Sequence, residues 1–238
     1  MKKIYLRILS LSLGSLLAAA IATPASFSYA NWSSATASSG AGAGSASGTL
    51  TVGSTTININ YSGDLTSDAQ VGAGGTNYYT PTGVYTNSTV GNTPTNNNIL
   101  TLSESPAYTD TLTFSAPVVN PILDIVSLGS PGTVVTYTFD SAPVLLSQGV
   151  AYWGGCATCL SVSGDSLSGT EGSGVIEFVG TFDEISWTTT GGENWNGFTV
   201  GTQGLASVSA APEPATWTMA LGMFGVVGGL IRMGKRKK

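Results

Sequence analysis

The sequence has no histidine, only two cysteines, and no lysine or arginine between Ile8 and Ile231. Each absence excludes a kind of chemistry. Without imidazole the chain lacks the usual general base near neutral pH and the commonest metal ligand. Without basic side chains in its body it cannot neutralise a phosphate backbone, which excludes nucleic-acid binding. Charged residues are 9% of the 238, against about 25% in an average soluble domain, and this excludes a highly charged disordered chain. No amphipathic helical window of useful length occurs, and no Gly-x-Ser-x-Gly element marks a hydrolase nucleophile.

What is present is unevenly distributed. All eight Lys and Arg lie at the two ends, whereas twelve of the thirteen Asp and Glu lie from Asn31 to Ala211. The net charge of −5 therefore hides a body whose ionised side chains are all negative. Lys2, Lys3 and Arg7 precede an apolar run from Ile8 to Ala22, and Ser28-Tyr29-Ala30 fits the small-x-small rule of signal peptidase. Residues 1–30 thus read as a secretory signal peptide cut after Ala30. At the other end Ala215 to Ile231 is 17 residues without a charge, about 25 Å of helix at ~1.5 Å per residue and enough for a short transmembrane helix. The tail 232–238, with Arg232, Lys235, Arg236, Lys237 and Lys238, is expected to stay on the cytoplasmic side.

Residues 31–48 are rich in Ser, Ala and Gly without a hydrophobic period, which predicts a flexible lead-in. Over 49–205, β-branched and aromatic runs alternate with Gly, Pro, Asn and Asp clusters. Strands are expected at Thr55–Tyr61, Thr111–Phe114, Ile122–Leu128, Thr133–Phe139, Gly174–Thr181, Ile185–Thr190 and Phe198–Val200. Within Thr133–Phe139, Val135, Tyr137 and Phe139 alternate with Thr136 and Thr138, so the first set should point inward. The implied fold is all-β, an antiparallel β-sandwich of the jelly-roll or immunoglobulin-like kind. Residues 61–98, dense in Gly, Thr and Asn with Tyr78, Tyr79 and Tyr85 among them, read as a long exposed loop or an irregular edge strand. A linker, 206–214, ends in Pro212-Glu213-Pro214, which its prolines hold extended.

Few groups offer chemistry. Cys156 and Cys159 have C-x-x-C spacing. A secreted compartment favours a small local disulfide, redox catalysis would need a helix start in a βαβ setting, and zinc would need further soft ligands that the chain does not have. Asp183 and Glu184, adjacent in a strand, should leave opposite faces rather than form a carboxylate pair. Hard oxygen ligands make calcium the one candidate ion, although no calcium-loop motif places it; no residue is singled out as a metal ligand and no other cofactor is expected. Tyr152, Trp153 and Trp195 stand among polar residues. Such aromatics either pack and anchor loops or present their faces to sugar rings while nearby amides fix hydroxyl groups.

Pro212-Glu213-Pro214-Ala215-Thr216-Trp217, a Gly-rich apolar run and a terminal basic cluster together resemble the PEP-CTERM sorting signal of Gram-negative bacteria. The resemblance implies a precursor held in the inner membrane and recognised by exosortase, an integral-membrane processing enzyme. Delivery to the cell envelope, the cell surface or the exopolysaccharide matrix would follow. Pro212, Glu213, Pro214 and Trp217 would then be read as substrate and have no catalytic role. The segment Phe114 to Ile125, with Gly197 to Gly201, is similar to a segment of bacterial surface adhesins, including lectin-like domains of streptococcal fibrillar adhesins. The expectation is a non-enzymatic structural or adhesive protein of surface or biofilm matrix, with carbohydrate or calcium binding. Its expected partners are signal peptidase, an exosortase-type enzyme, the inner membrane as a transient anchor, and extracellular polysaccharide. The alternative is a secreted polysaccharide hydrolase working with two carboxylates.

Overall fold

Val135, Tyr137 and Phe139 are buried, at most 3% exposed, while Thr136 and Thr138 between them remain partly open to solvent. This period of two recurs through a computed structural model that describes residues 23–40, 42–103 and 108–207. Among the described residues it forms fifteen strands: β1 Ser28–Tyr29, β2 Asn31–Thr36, β3 Gly44–Val52, β4 Thr55–Gly63, β5 Leu100–Leu102, β6 Asp110–Val119, β7 Ile122–Leu128, β8 Val135–Phe139, β9 Val144–Gln148, β10 Leu160–Ser163, β11 Ser166–Gly169, β12 Gly172–Glu177, β13 Thr181–Thr190, β14 Asn196–Thr202 and β15 Gly204–Leu205. One four-residue helix, α1 Thr82–Tyr85, interrupts them.

The strands form two sheets in which every pairing is antiparallel. One runs β1-β14-β7-β12-β9, with β5 beside β1 along the outer edge of β14; the other runs β10-β11-β8-β13-β6-β4-β3-β2, with β15 on β6. The chain is thus an all-β sandwich. Its main core contains Trp32, Ile59, Tyr61, Phe114, Ile125, Tyr137, Phe139, Ile176, Phe178, Trp187 and Phe198. Edge-to-face rings thread that core, with Phe139 and Phe178 5.0 Å apart and Trp187 and Phe198 5.5 Å apart.

The expected flexible lead-in is not one. Most of 31–48 lies in β2 and β3, and Trp32, opposite Gly48 in the register, is fully buried. The inward positions of β3 are Gly44, Ala46, Gly48 and Leu50, which is why no apolar period shows. At Gly48 the paired strand β2 leaves no room for a side chain: a Cβ there would sit 2.5 Å from the Asn31 carbonyl oxygen and 2.8 Å from Trp32 Cα. The sandwich therefore begins well before residue 49.

It also begins before residue 31. Ala30, expected as the last residue of a cleaved leader, is fully buried, and β1 just before it pairs with β14. Phe27 is buried too, its backbone clamped by the Asn92 side chain, which accepts from Phe27 N at 2.7 Å and donates to Phe27 O at 2.9 Å. Phe27→Ala is expected to lower the unfolding free energy by about 3–5 kcal/mol, as read by denaturant melting of the exported protein.

Of 61–98, the first three residues finish β4 and the rest is a long irregular loop rather than an edge strand, exposed at 73–77 and 80–83 but not throughout. It covers the outer face of the smaller sheet and closes a second apolar cluster with Phe27, Tyr79, Val84, Tyr85, Val90, Ile99, Ile122, Val126 and Val175. For this reason β7 is buried at every residue: Leu123 and Ile125 enter the main core, and Ile122 and Val126 enter the second. A strand covered on both faces reads as a near-continuous apolar run, here interrupted by Asp124 and Ser127. The asparagines supply the hydrogen bonds that irregular backbone lacks. Asn87 Oδ1 accepts from Thr89 N and Val90 N, and Asn96 Nδ2 donates to Ala30 O at 2.8 Å.

No helix among the described residues is long and apolar enough to cross a membrane. Residues 1–22 of the expected leader, Pro212, Glu213, Pro214 and Trp217, the span 215–231, and the tail with Arg232, Lys235, Arg236, Lys237 and Lys238 lie outside the described residues.

Candidate functional site

Antiparallel pairing sets the end of β7 beside the starts of β12 and β14, since Leu128 faces Gly172 and Val126 faces Gly197; the end of β9 joins them through Gln148, opposite Gly174. The loops at this end bring together side chains that are far apart in sequence. Ala151 and Gly154 bridge to each other, so Tyr152 and Trp153 form the tip of a tight turn and are 45% and 55% exposed. Gln148 clamps the base of that loop, accepting from Leu160 N at 2.8 Å and donating to Leu160 O at 3.1 Å. Trp195 comes from the loop between β13 and β14, and Tyr78 from the covering segment.

These four rings form one cluster. Tyr78 lies 4.9 Å from Tyr152, 5.1 Å from Trp195 and 6.1 Å, stacked, from Trp153; Trp153 lies 5.8 Å from Trp195. The residues singled out from the sequence, Tyr152, Trp153 and Trp195, thus meet. Tyr78 was missed as their partner, although Tyr78-Tyr79 in an irregular segment carried a signal: one ring turns out to the cluster while Tyr79 is fully buried.

Two adjoining clefts share Trp195, Ser127 and Glu171. One, of about 490 Å³, is walled by Tyr78, Trp153 and Asp68; the other, of about 580 Å³, by Ser130, Thr133, Glu193 and Asn194. An aromatic wall thus continues into a polar trough. Ser127 and Glu171, at the junction, have φ of 60° and 68°, and non-glycine residues held there cost of order 1–3 kcal/mol each. The Ser127 hydroxyl donates to Glu171 Oε1, and Ser127 N donates to Ser173 Oγ at 2.9 Å. Glu193 Oε1 accepts from Gly129 N at 2.6 Å and Asn196 Nδ2 at 2.9 Å, and Asn196 Oδ1 in turn accepts from the Tyr137 hydroxyl at 2.6 Å. Gly129 has no substitute there: its φ is 73° and a Cβ would lie 2.2 Å from Gly169 O. Backbone strain and a tethered carboxylate together give the trough a defined shape.

Cys156 and Cys159 are bonded to each other and sit just beyond the Tyr152-Trp153 turn, Cα atoms 5.2 Å apart. The closed loop is so short that breaking the bond by reduction, or with Cys156→Ser plus Cys159→Ser, is expected to cost about 2 kcal/mol or less. Faster amide hydrogen exchange should be confined to the loop between β9 and β10. Asp183 and Glu184 are not at this end. Asp183 falls in a register shift of β13, so the strict alternation expected of the pair is interrupted, and both side chains are exposed. Among the described residues no three His, Cys, Asp or Glu side chains converge as a metal site.

One acid the sequence reading passed over is Asp124, in the middle of β7. It faces the second cluster and is completely buried, with neither carboxyl oxygen hydrogen-bonded. Burial pushes its pKa well above the usual carboxylate range; the adjacent Tyr29 hydroxyl opposes this weakly, being committed to Asn92 O at 3.0 Å. Burial, with Asp124 nearby, also raises the Tyr29 and Tyr79 hydroxyls far above the ordinary phenol value. The neutral acid is therefore the form that suits the fold.

No family model, no curated protein and no solved structure matches the chain, and the functional reading rests on the geometry above and on the sequence.

Proposed function

We propose that this chain is an exported, non-catalytic surface or matrix protein whose sandwich binds polysaccharide at the Tyr78, Tyr152, Trp153 and Trp195 cleft. The observation that carries the binding is the convergence of four aromatic rings, two of them with about half their surface exposed, beside a trough of hydroxyl, amide and carboxylate groups. Aromatic faces cover the apolar faces of sugar rings, and polar groups at the rim orient the hydroxyls. Export and sorting rest on the sequence: an N-terminal signal peptide, a C-terminal membrane span, and Pro212-Glu213-Pro214 as the segment an exosortase-type enzyme reads. The matrix of a Gram-negative cell is then the destination.

A second reading, polysaccharide hydrolysis, has one observation in its favour: Glu171 and Glu193 line the same trough. Both readings are tested by incubating the exported protein with soluble polysaccharides and following retention and released reducing ends. Retention without new reducing ends is the expected result. Release that is abolished by Glu171→Gln or Glu193→Gln would replace binding with hydrolysis.

A further inference from the structure

The strands around Ala30 bear on where the exported chain starts. Residues 25–30 are built into the domain on both sides. Ala25 N donates to Thr89 O at 2.8 Å and Gly91 N to Ala25 O at 2.7 Å; Asn92 clamps Phe27; Ala30 N donates to Val200 O at 2.9 Å. Phe27 lies in the second cluster with Ala25 and Tyr29 packed against it, and Ala30 belongs to the main core. A cut after Ala30 would remove β1, uncover the edge of β14 beyond β5, and carry off the fully buried Ala30 together with its hydrogen bond to Val200 O. A leader is discarded, and a strand that completes a sheet edge and closes a cluster is not a segment the mature fold can lose.

The same small-x-small rule is met earlier, by Ala20-Ile21-Ala22, at the end of the apolar run from Ile8 to Ala22. We infer that signal peptidase cuts between Ala22 and Thr23. Water adds across that peptide bond, leaving the carboxylate on Ala22 and the ammonium on Thr23, and Phe27 to Ala30 stay with the domain. The inference rests on the export reading above and specifies the site at which that export is completed.

The absence of lysine between Ile8 and Ile231 makes the test unusually clean. Reductive methylation of the protein from its producing cell marks only the new α-amine over that whole stretch, and intact-mass spectrometry locates it. A labelled Thr23 is the expected result. A labelled Asn31, shorter by residues 23–30, would overturn the inference and leave export standing. An unprocessed chain beginning at Met1 would overturn both. A second measurement uses Ala22→Arg, which should block processing and cause precursor to accumulate; normal maturation of that variant would also overturn the inference.

Discussion

Trp153→Ala is expected to weaken polysaccharide binding by about 10–100-fold, with a melting temperature within a degree or two of the parent. The two parts of this expectation have separate causes. More than half of the Trp153 side chain is exposed and it belongs to neither apolar cluster, so its removal takes little from the core. Exposed aromatics at the centre of a binding patch are the residues whose truncation costs about 2 kcal/mol or more, a factor of roughly 30. Trp195→Ala should match it in binding but cost more stability, because Trp195 touches both Tyr78 and Trp153 and packs against the second cluster. Trp153→Phe should recover part of the affinity, since a smaller ring still offers a face. Isothermal titration beside thermal melts separates the two effects. Because the body carries only negative side chains, neutral polysaccharides should bind better than uronic-acid polymers, with the gap narrowing as salt is added.

Asp124→Asn is expected to raise the melting temperature by several degrees at pH 7 and by nothing near pH 3–4. The sign follows from linkage. Burial raises the folded-state pKa above the unfolded value of about 3.9, so the folded protein holds a proton that the unfolded chain releases. The stability associated with that proton is complete below about pH 4 and is lost as pH rises toward the folded value. An amide cannot ionise and is spared the loss. Melts of the two proteins from pH 3 to 8 would show parallel curves if Asp124 were hydrated and ionised in the fold, and diverging curves if it is buried and neutral.

Much of the sandwich was legible because its strands carry their own period. Val135, Tyr137 and Phe139 announce β8, and the largely apolar run Ile122–Leu128, interrupted only by Asp124 and Ser127, announces a strand, though not that a second layer covers it. What hid the N-terminal strands was packing. Gly44, Ala46 and Gly48 are inward residues of β3, and at Gly48 the paired strand β2 leaves no room for a side chain, so composition resembles a linker where a strand pair exists. The covering segment hid for another reason: it is held by scattered backbone bridges and by asparagine side chains at 87, 92, 96 and 98 rather than by a ladder. At the site, Tyr152, Trp153 and Trp195 could be named from polar surroundings alone. Ser127 and Glu171 could not, because their significance lies in a left-handed backbone that no residue type declares.

The measurement that bears most directly on the account is affinity electrophoresis of the exported protein through gels containing the polysaccharide its own cell secretes. A strongly anionic body gives the protein free mobility toward the anode, against which binding appears as retardation. Retardation that rises with polysaccharide content and is lost in Trp153→Ala and Trp195→Ala is the result this account requires. Mobility identical with and without polysaccharide, for the parent and both variants, would contradict it.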